Sequence, residues 1–64
     1  MQVYENVRAY LEDKGIKQIA VARKCDISAP IFNAIMTGRR KLYAEDLRKI
    51  CSALEVSPEI LLKP

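Results

Sequence analysis

Apolar residues recur every three or four positions along this chain of 64 residues, and no segment keeps the two-residue alternation of a β-strand. The first helix is predicted over residues 3–14, where Val3, Val7 and Leu11 share one face. Gly15 follows a basic last residue, which is typical of a helix that ends there. The pattern therefore indicates helical structure from the start of the chain.

Four more helices are predicted from the same period and from the residues that start and stop helices. The second covers about 18–25, the third about 28–37 with Ser28 as its N-cap, the fourth about 44–54, and a short fifth about 57–61. The predicted fold class is all-α, a compact five-helix bundle. The residues predicted to face its interior are Val21, Ala22, Cys25, Phe32, Ile35, Leu47, Ile50, Cys51 and Leu54.

The second and third helices are short and only about three or four residues apart, which is the arrangement of a helix-turn-helix motif over about 18–37. Ala22 is small enough to let two helices cross closely, and Asp26 tolerates the left-handed backbone of a tight turn. Pro30 falls in the first turn of the third helix, where its missing N–H costs little. We expect the motif to lie within a single domain that spans residues 1–64.

The charge of the chain is unevenly distributed. There are 11 Lys or Arg residues against 8 Asp or Glu residues, a net charge of +3. Residues 14–41 hold seven basic side chains against one acidic side chain, whereas residues 1–13 and 42–64 are each slightly acidic. A basic segment of this kind predicts a polyanionic partner that contacts the motif.

The reactive side chains argue against catalysis. There is no histidine, and Cys25 and Cys51 lack the further ligands that a zinc site needs. A nucleophilic cysteine would lack a histidine base, so both thiols are expected to be buried and free. We therefore expect no enzymatic activity, metal, cofactor or small-molecule substrate. No apolar run approaches the roughly 20 residues of a membrane-spanning helix and no signal sequence is evident, so a cytoplasmic protein without a membrane partner is predicted.

At many of these positions the sequence resembles the phage Cro/C1-repressor type of helix-turn-helix domain, also called the XRE family. The matching segments are Lys14-Gly15-Ile16-Lys17-Gln18, Val21-Ala22, Ile27-Ser28, Ile35, Gly38, Leu47, Ile50, Ala53-Leu54 and Val56-Ser57. The resemblance covers roughly residues 3–62. It implies a lambda-repressor-like fold in a phage or bacterial protein, whose third helix enters the major groove of double-stranded DNA, often from a dimer.

The resemblance also implies roles for individual residues. Gln18 would contact a backbone phosphate. The positions that would face the DNA groove are Ser28, Ala29, Pro30, Asn33 and Thr37, and those that would contact phosphate after the third helix are Arg39, Arg40 and Lys41. Asn33 is the one groove-facing residue that can form a bidentate bond, for which adenine is the natural partner. Ala29 and Pro30 offer only apolar contact, so base contacts should be few.

Some positions depart from the family pattern. Lys17 and Ala20 replace the residues of a capping box at the start of the second helix. Ile19, Ile31 and Met36 place apolar side chains on positions expected to face outward. Three interpretations stay open for Ile31 and Met36 on the outer face of the third helix: they are ordinary surface apolar residues, they contact thymine methyl groups, or they contact a protein.

The predicted function is that of a sequence-specific DNA-binding transcriptional regulator, a repressor that binds a palindromic operator as a homodimer through the helix at about 28–37. The apolar residues available for a dimer interface are Leu42, Tyr43, Ile60, Leu61 and Leu62. The alternative is a protein-interaction module of the antitoxin or anti-repressor type, which would use the apolar outer face of the third helix.

Overall fold

Five helices account for most of the described chain. The computed structural model describes residues 2–62. Met1, Lys63 and Pro64, which the single-domain prediction also includes, lie outside the described residues. The helices are α1 (Val3–Lys14), α2 (Gln18–Cys25), α3 (Ala29–Met36), α4 (Ala44–Leu54) and α5 (Pro58–Leu61). The predicted all-α fold class is therefore confirmed, and α3 is one residue shorter at each end because residues 28 and 37 serve as its caps.

The turns between helices depend on residues that accept a left-handed backbone. Gly15 has φ 67° after α1, and Asp26 has φ 59° between α2 and α3, as its position in the motif predicted. The N–H of Ile27 then donates to the carbonyl oxygen of Ala22 at 3.0 Å, which closes the turn. Glu55 adopts the same conformation after α4, at φ 57°. The turns at Asp26 and Glu55 bring α2 against α3 and α4 against α5, so α3 lies beside α2.

One hydrophobic core holds the helices together, with α3 packed against both α1 and α2. Its buried members are Val7, Leu11, Val21, Ala22, Cys25, Phe32, Ile35, Met36, Ile50, Cys51 and Leu61. Leu47 and Leu54 are half-buried against this core rather than inside it. The predicted inner faces of α2 and α3 are confirmed, so the outer face of α3 is the one left for a ligand.

Two predictions about exposed apolar residues are wrong. Met36 is fully buried, because it continues the stripe of Phe32 and Ile35 at helical spacing and lies where α3 meets α1. Leu61 is 1% exposed and belongs to the core, because α5 packs against α1 and α4. Ile31 is 40% exposed and does face outward as predicted. The outer face of α3 is therefore less apolar than the sequence indicated.

Both cysteines are buried and free, as predicted. Burial raises the pKa of the Cys25 thiol, and the opposing effects of Lys49, which lowers it, and Asp46, which raises it, are smaller. Burial also raises the pKa of the Cys51 thiol. The two thiols therefore pack as small apolar groups.

Among residues 2–62, no helix has the length and apolarity needed to cross a membrane.

The ring of Tyr4 on α1 lies close against Gly38, just after the end of α3. Gly38 has φ 80°, and a Cβ built on it would lie 2.7 Å from both Cζ and Oη of Tyr4. Gly15 shares the left-handed backbone, at φ 67°, but a Cβ there would meet nothing within 4 Å. The two glycines therefore differ only in what surrounds them.

We expect Gly38→Ala to lower the free energy of unfolding by about 2–3 kcal/mol, because backbone strain adds to displacement of the Tyr4 ring. Gly15→Ala, the matched control, should cost about 1 kcal/mol from backbone strain alone. Urea unfolding followed by circular dichroism measures both values. Equal losses for the two variants would contradict the proposed role of Tyr4.

Candidate nucleic-acid interface

The outer face of α3 carries the residues predicted to meet DNA. Since Phe32, Ile35 and Met36 face the core, most of the remaining positions of the helix point to solvent. Five predicted groove-facing residues are indeed exposed, and they are Ser28, Ala29, Pro30, Asn33 and Thr37. Three of them carry hydrogen-bonding side chains and two are apolar, so direct contacts to base edges are confined to few atoms.

The N-terminal ends of α2 and α3 both lack a side-chain cap. Ser28 has the extended backbone of an N-cap, with ψ 148°, but its hydroxyl makes no cap hydrogen bond. One reason is that Pro30 is the second residue of the helix and has no N–H to offer. Lys17 likewise makes no cap bond to α2, as the missing capping box predicted. Uncapped helix N-termini suit an anionic ligand such as phosphate.

A shallow groove between α2 and α3 brings the start of one helix beside the middle of the other. It has a volume of about 190 Å³, and its lining residues are Gln18, Ile19, Ala22, Ala29, Phe32 and Asn33. Gln18 is half-buried at this position, whereas Asn33 is exposed. The structure thus places the predicted phosphate contact of α2 on the same surface as the predicted base contact of α3.

The chain folds back on α3 directly after the helix ends. The carbonyl oxygen of Ala34 accepts hydrogen bonds from the backbone N–H of Arg39 at 2.9 Å and of Arg40 at 3.1 Å. The N–H of Gly38 donates to the carbonyl oxygen of Ile35 at 3.2 Å. These bonds position both arginines at the C-terminal end of α3 instead of in a free loop.

Arg39 is joined by hydrogen bonds to two groove-facing side chains. Its Nε donates to Oγ1 of Thr37 at 3.2 Å, and its Nη2 donates to Oδ1 of Asn33 at 3.3 Å. The Thr37 hydroxyl donates in turn to the backbone carbonyl oxygens of Asn33 at 3.0 Å and Ala34 at 3.2 Å. The result is a connected polar network along the exposed edge of α3.

The remaining predicted phosphate contacts are exposed but less tightly arranged. No hydrogen bond holds the Arg40 side chain to another residue within 2–62, so its guanidinium is available. The ammonium of Lys41 lies 5.4 Å from the centroid of the Tyr43 ring, a cation–π distance. Arg40 and Lys41 therefore extend the basic end of α3 without joining its polar network.

Arg8 and Tyr4 on α1 support α3, and sequence reasoning missed both. Nη1 of Arg8 donates to the carbonyl oxygen of Met36 at 3.0 Å, where it satisfies the C-terminal end of α3 with a cation. Arg8 and Met36 are 28 positions apart in the sequence, and no local pattern signals their contact. The orientation of α3 thus depends on α1 as well as on the helix-turn-helix motif.

A second groove, between α2 and α4, is wider but mixed in charge. It has a volume of about 620 Å³ and is lined partly by Lys24, Arg48 and Lys49, with Asp26 and Glu55 among them. Carboxylates within the groove repel a polyanion, so the groove suits DNA less well than the outer face of α3 does.

No group of three or more potential metal-ligating His, Cys, Asp or Glu residues occurs within the described part of the chain.

The fold and its exposed third helix place the chain in the class of helix-turn-helix proteins. The sequence model of the Cro/C1-type HTH DNA-binding domain matches residues 6–64. The chain therefore belongs to the family of Cro/C1-type helix-turn-helix DNA-binding domains, and its ligand class is double-stranded DNA. Comparison with curated proteins and with solved structures gives no match.

Proposed function

We propose that the chain is a sequence-specific transcriptional repressor that acts as a homodimer on a palindromic operator. The observation that carries this proposal is the exposed face of α3, where Asn33, Thr37 and Arg39 form one hydrogen-bonded network beside uncapped helix N-termini. Phosphate contacts would fix the register of the protein, and the side chains of α3 would contact the bases. A repressor blocks other proteins by occupying the operator, which requires no further site on the chain.

The size of the chain supports binding as two copies. The folded chain measures 26 × 23 × 21 Å. Half-sites one helical turn apart are separated by about 34 Å, so one copy with a single α3 cannot read two of them. Three exposed apolar residues, Tyr43, Ile60 and Leu62, remain candidates for the interface, while Leu42 is half-buried and Leu61 is unavailable. Sedimentation that shows a monomer both with and without DNA would refute the homodimer.

DNA affinity should fall steeply with salt. Arg39, Arg40 and Lys41 supply three cations in each copy, or six per dimer. With roughly five phosphates neutralised per dimer as a minimum, a plot of log K against log salt should have a slope near −4 to −5. Fluorescence anisotropy with a labelled duplex between 50 and 300 mM KCl measures this slope. An affinity that does not change with salt would contradict binding through phosphate contacts.

A protein-interaction module is the second candidate, and the exposure of Ile19 (52%) and Ile31 (40%) is what favours it. The burial of Met36 removes one of the three residues on which this alternative depended. Under this alternative, Ile31→Asp should abolish capture of a protein partner, whereas loss of Asn33 and Arg40 should leave that capture intact. The same Ile31→Asp variant also loses an apolar groove contact, so DNA binding has to be measured alongside.

A further inference from the structure

The hydrogen bond between Arg39 and Asn33 determines which atoms of the Asn33 amide face a ligand. A guanidinium has only donors, so the amide atom that faces Nη2 of Arg39 at 3.3 Å has to be the oxygen, Oδ1. The amide nitrogen, Nδ2, is then left with two N–H donors and has no partner within residues 2–62. The orientation of this amide is therefore fixed by chemistry, although nitrogen and oxygen have nearly the same size.

Arg39 itself is held in place by more than one bond. Its Nε donates to Thr37 at 3.2 Å, and its backbone N–H donates to the carbonyl oxygen of Ala34 at 2.9 Å. Thr37 is bonded in turn to the last turn of α3. Arg39 is thus fixed both at its backbone N–H and at its Nε. Its guanidinium can therefore hold the Asn33 amide in one orientation while α3 approaches DNA.

This orientation changes the base that Asn33 can recognise. An asparagine that binds adenine accepts a hydrogen bond from N6 at Oδ1 and donates one from Nδ2 to N7. With Arg39 beside Oδ1, the N6 amino group of adenine would meet a cation and its N–H donors. Guanine presents two acceptors, N7 and O6, which match the free N–H groups of Nδ2 and the positive charge next to it.

We infer that Arg39 is a specificity-determining residue, which positions the Asn33 amide so that the chain prefers guanine over adenine at the base pair facing Asn33. The inference rests on the proposed function, since it concerns base recognition by α3. Arg39 acts here through Asn33 and is thus a positioning residue, in addition to any phosphate contact that its remaining N–H groups make. Oδ1 keeps a second lone pair, so the effect of Arg39 comes from the fixed orientation of the amide and from the adjacent positive charge. Removing Arg39 should remove both and restore the usual preference of asparagine for adenine.

The test compares base preferences, which a general loss of affinity does not alter. A duplex that the wild-type chain selects from a random pool is prepared with each of the four base pairs at every position. Asn33→Ala then identifies the base pair that Asn33 contacts, because discrimination is lost there. Competition binding gives the guanine-to-adenine ratio at that pair for the wild type, for Arg39→Met and for the matched control Arg40→Met, which also removes one positive charge.

We expect the wild type to prefer guanine by about tenfold, Arg39→Met to prefer adenine, and Arg40→Met to bind more weakly with the guanine preference unchanged. A wild-type preference for adenine would overturn the inference and leave the proposed function in place. An Arg39→Met variant that keeps the guanine preference of the wild type would do the same. A folded wild-type chain that selects no sequence from the pool would overturn both. Thermal unfolding of each variant confirms that the exposed substitutions leave the fold intact.

Discussion

Phe32→Ala should leave the chain largely unfolded at room temperature. Phe32 is 1% exposed and is the largest side chain in the core, between the helix-turn-helix motif and the rest of the bundle. Truncation of a buried phenylalanine costs about 3–5 kcal/mol. A single domain of this size has a free energy of unfolding of only a few kcal/mol, so the loss is comparable to the whole stability. Circular dichroism and urea unfolding of the purified variant measure the effect.

The neighbouring Ile31→Ala is the matched control for this substitution. Ile31 lies on the same helix and is also apolar, but it is 40% exposed and faces outward. Its truncation should change the free energy of unfolding by no more than about 0.5 kcal/mol. A Phe32→Ala variant as stable as Ile31→Ala would contradict the placement of Phe32 in the core.

The double variant Asn33→Ala with Arg40→Ala should lose at least about 100-fold in DNA affinity, because a base contact worth about 1–3 kcal/mol and a phosphate contact are both removed from each copy of α3. Both side chains are exposed, so the free energy of unfolding should be nearly unchanged. Fluorescence anisotropy with a selected duplex at fixed salt measures the affinity.

Lys24→Ala with Arg48→Ala is the control for charge alone. This pair removes two positive charges from the groove between α2 and α4, which no residue of α3 lines. Its affinity for DNA should change by less than about threefold, since long-range attraction is screened at physiological salt. If both double variants lost affinity equally, net charge rather than the α3 face would account for binding.

The order and limits of the helices could be predicted because local residues determine them. Gly15 and Asp26 allow the left-handed turns that end α1 and α2, and proline in the first turn marks the starts of α3 and α5. The inner faces of α2 and α3 follow from helical spacing in the same way. Each of these signals lies within a few residues of the feature that it predicts.

The features that could not be predicted depend on contacts between distant parts of the chain. Helical spacing from Phe32 allows Met36 to face inward, but its full burial also depends on α1 covering that end of α3, which the spacing within α3 does not show. The approach of Tyr4 to Gly38 and the bond from Arg8 to Met36 also join α1 to the end of α3. The sequence therefore indicates which residues lie near the DNA face but not how α1 supports that face.

In the candidate site, too, local features could be predicted from the sequence and contacts that depend on the folded chain could not. The exposed positions of α3 and the basic residues after it could be predicted from the motif, and the structure confirms their exposure. The link from Arg39 to Asn33 and Thr37 could not, because it depends on the folded turn at residues 37–40 and on side-chain orientation. This link matters most for base preference, since few other groove-facing side chains can form hydrogen bonds.

Selection of duplexes from a random pool, followed by sequencing, tests the central claim most directly. If α3 reads DNA sequence as part of a homodimer, the folded chain should enrich a near-palindrome whose half-sites lie about one helical turn apart. The Asn33→Ala variant should lose discrimination at one base pair in each half-site. Enrichment of no sequence by the folded wild-type chain, or of a site without two-fold symmetry, would contradict the proposed function.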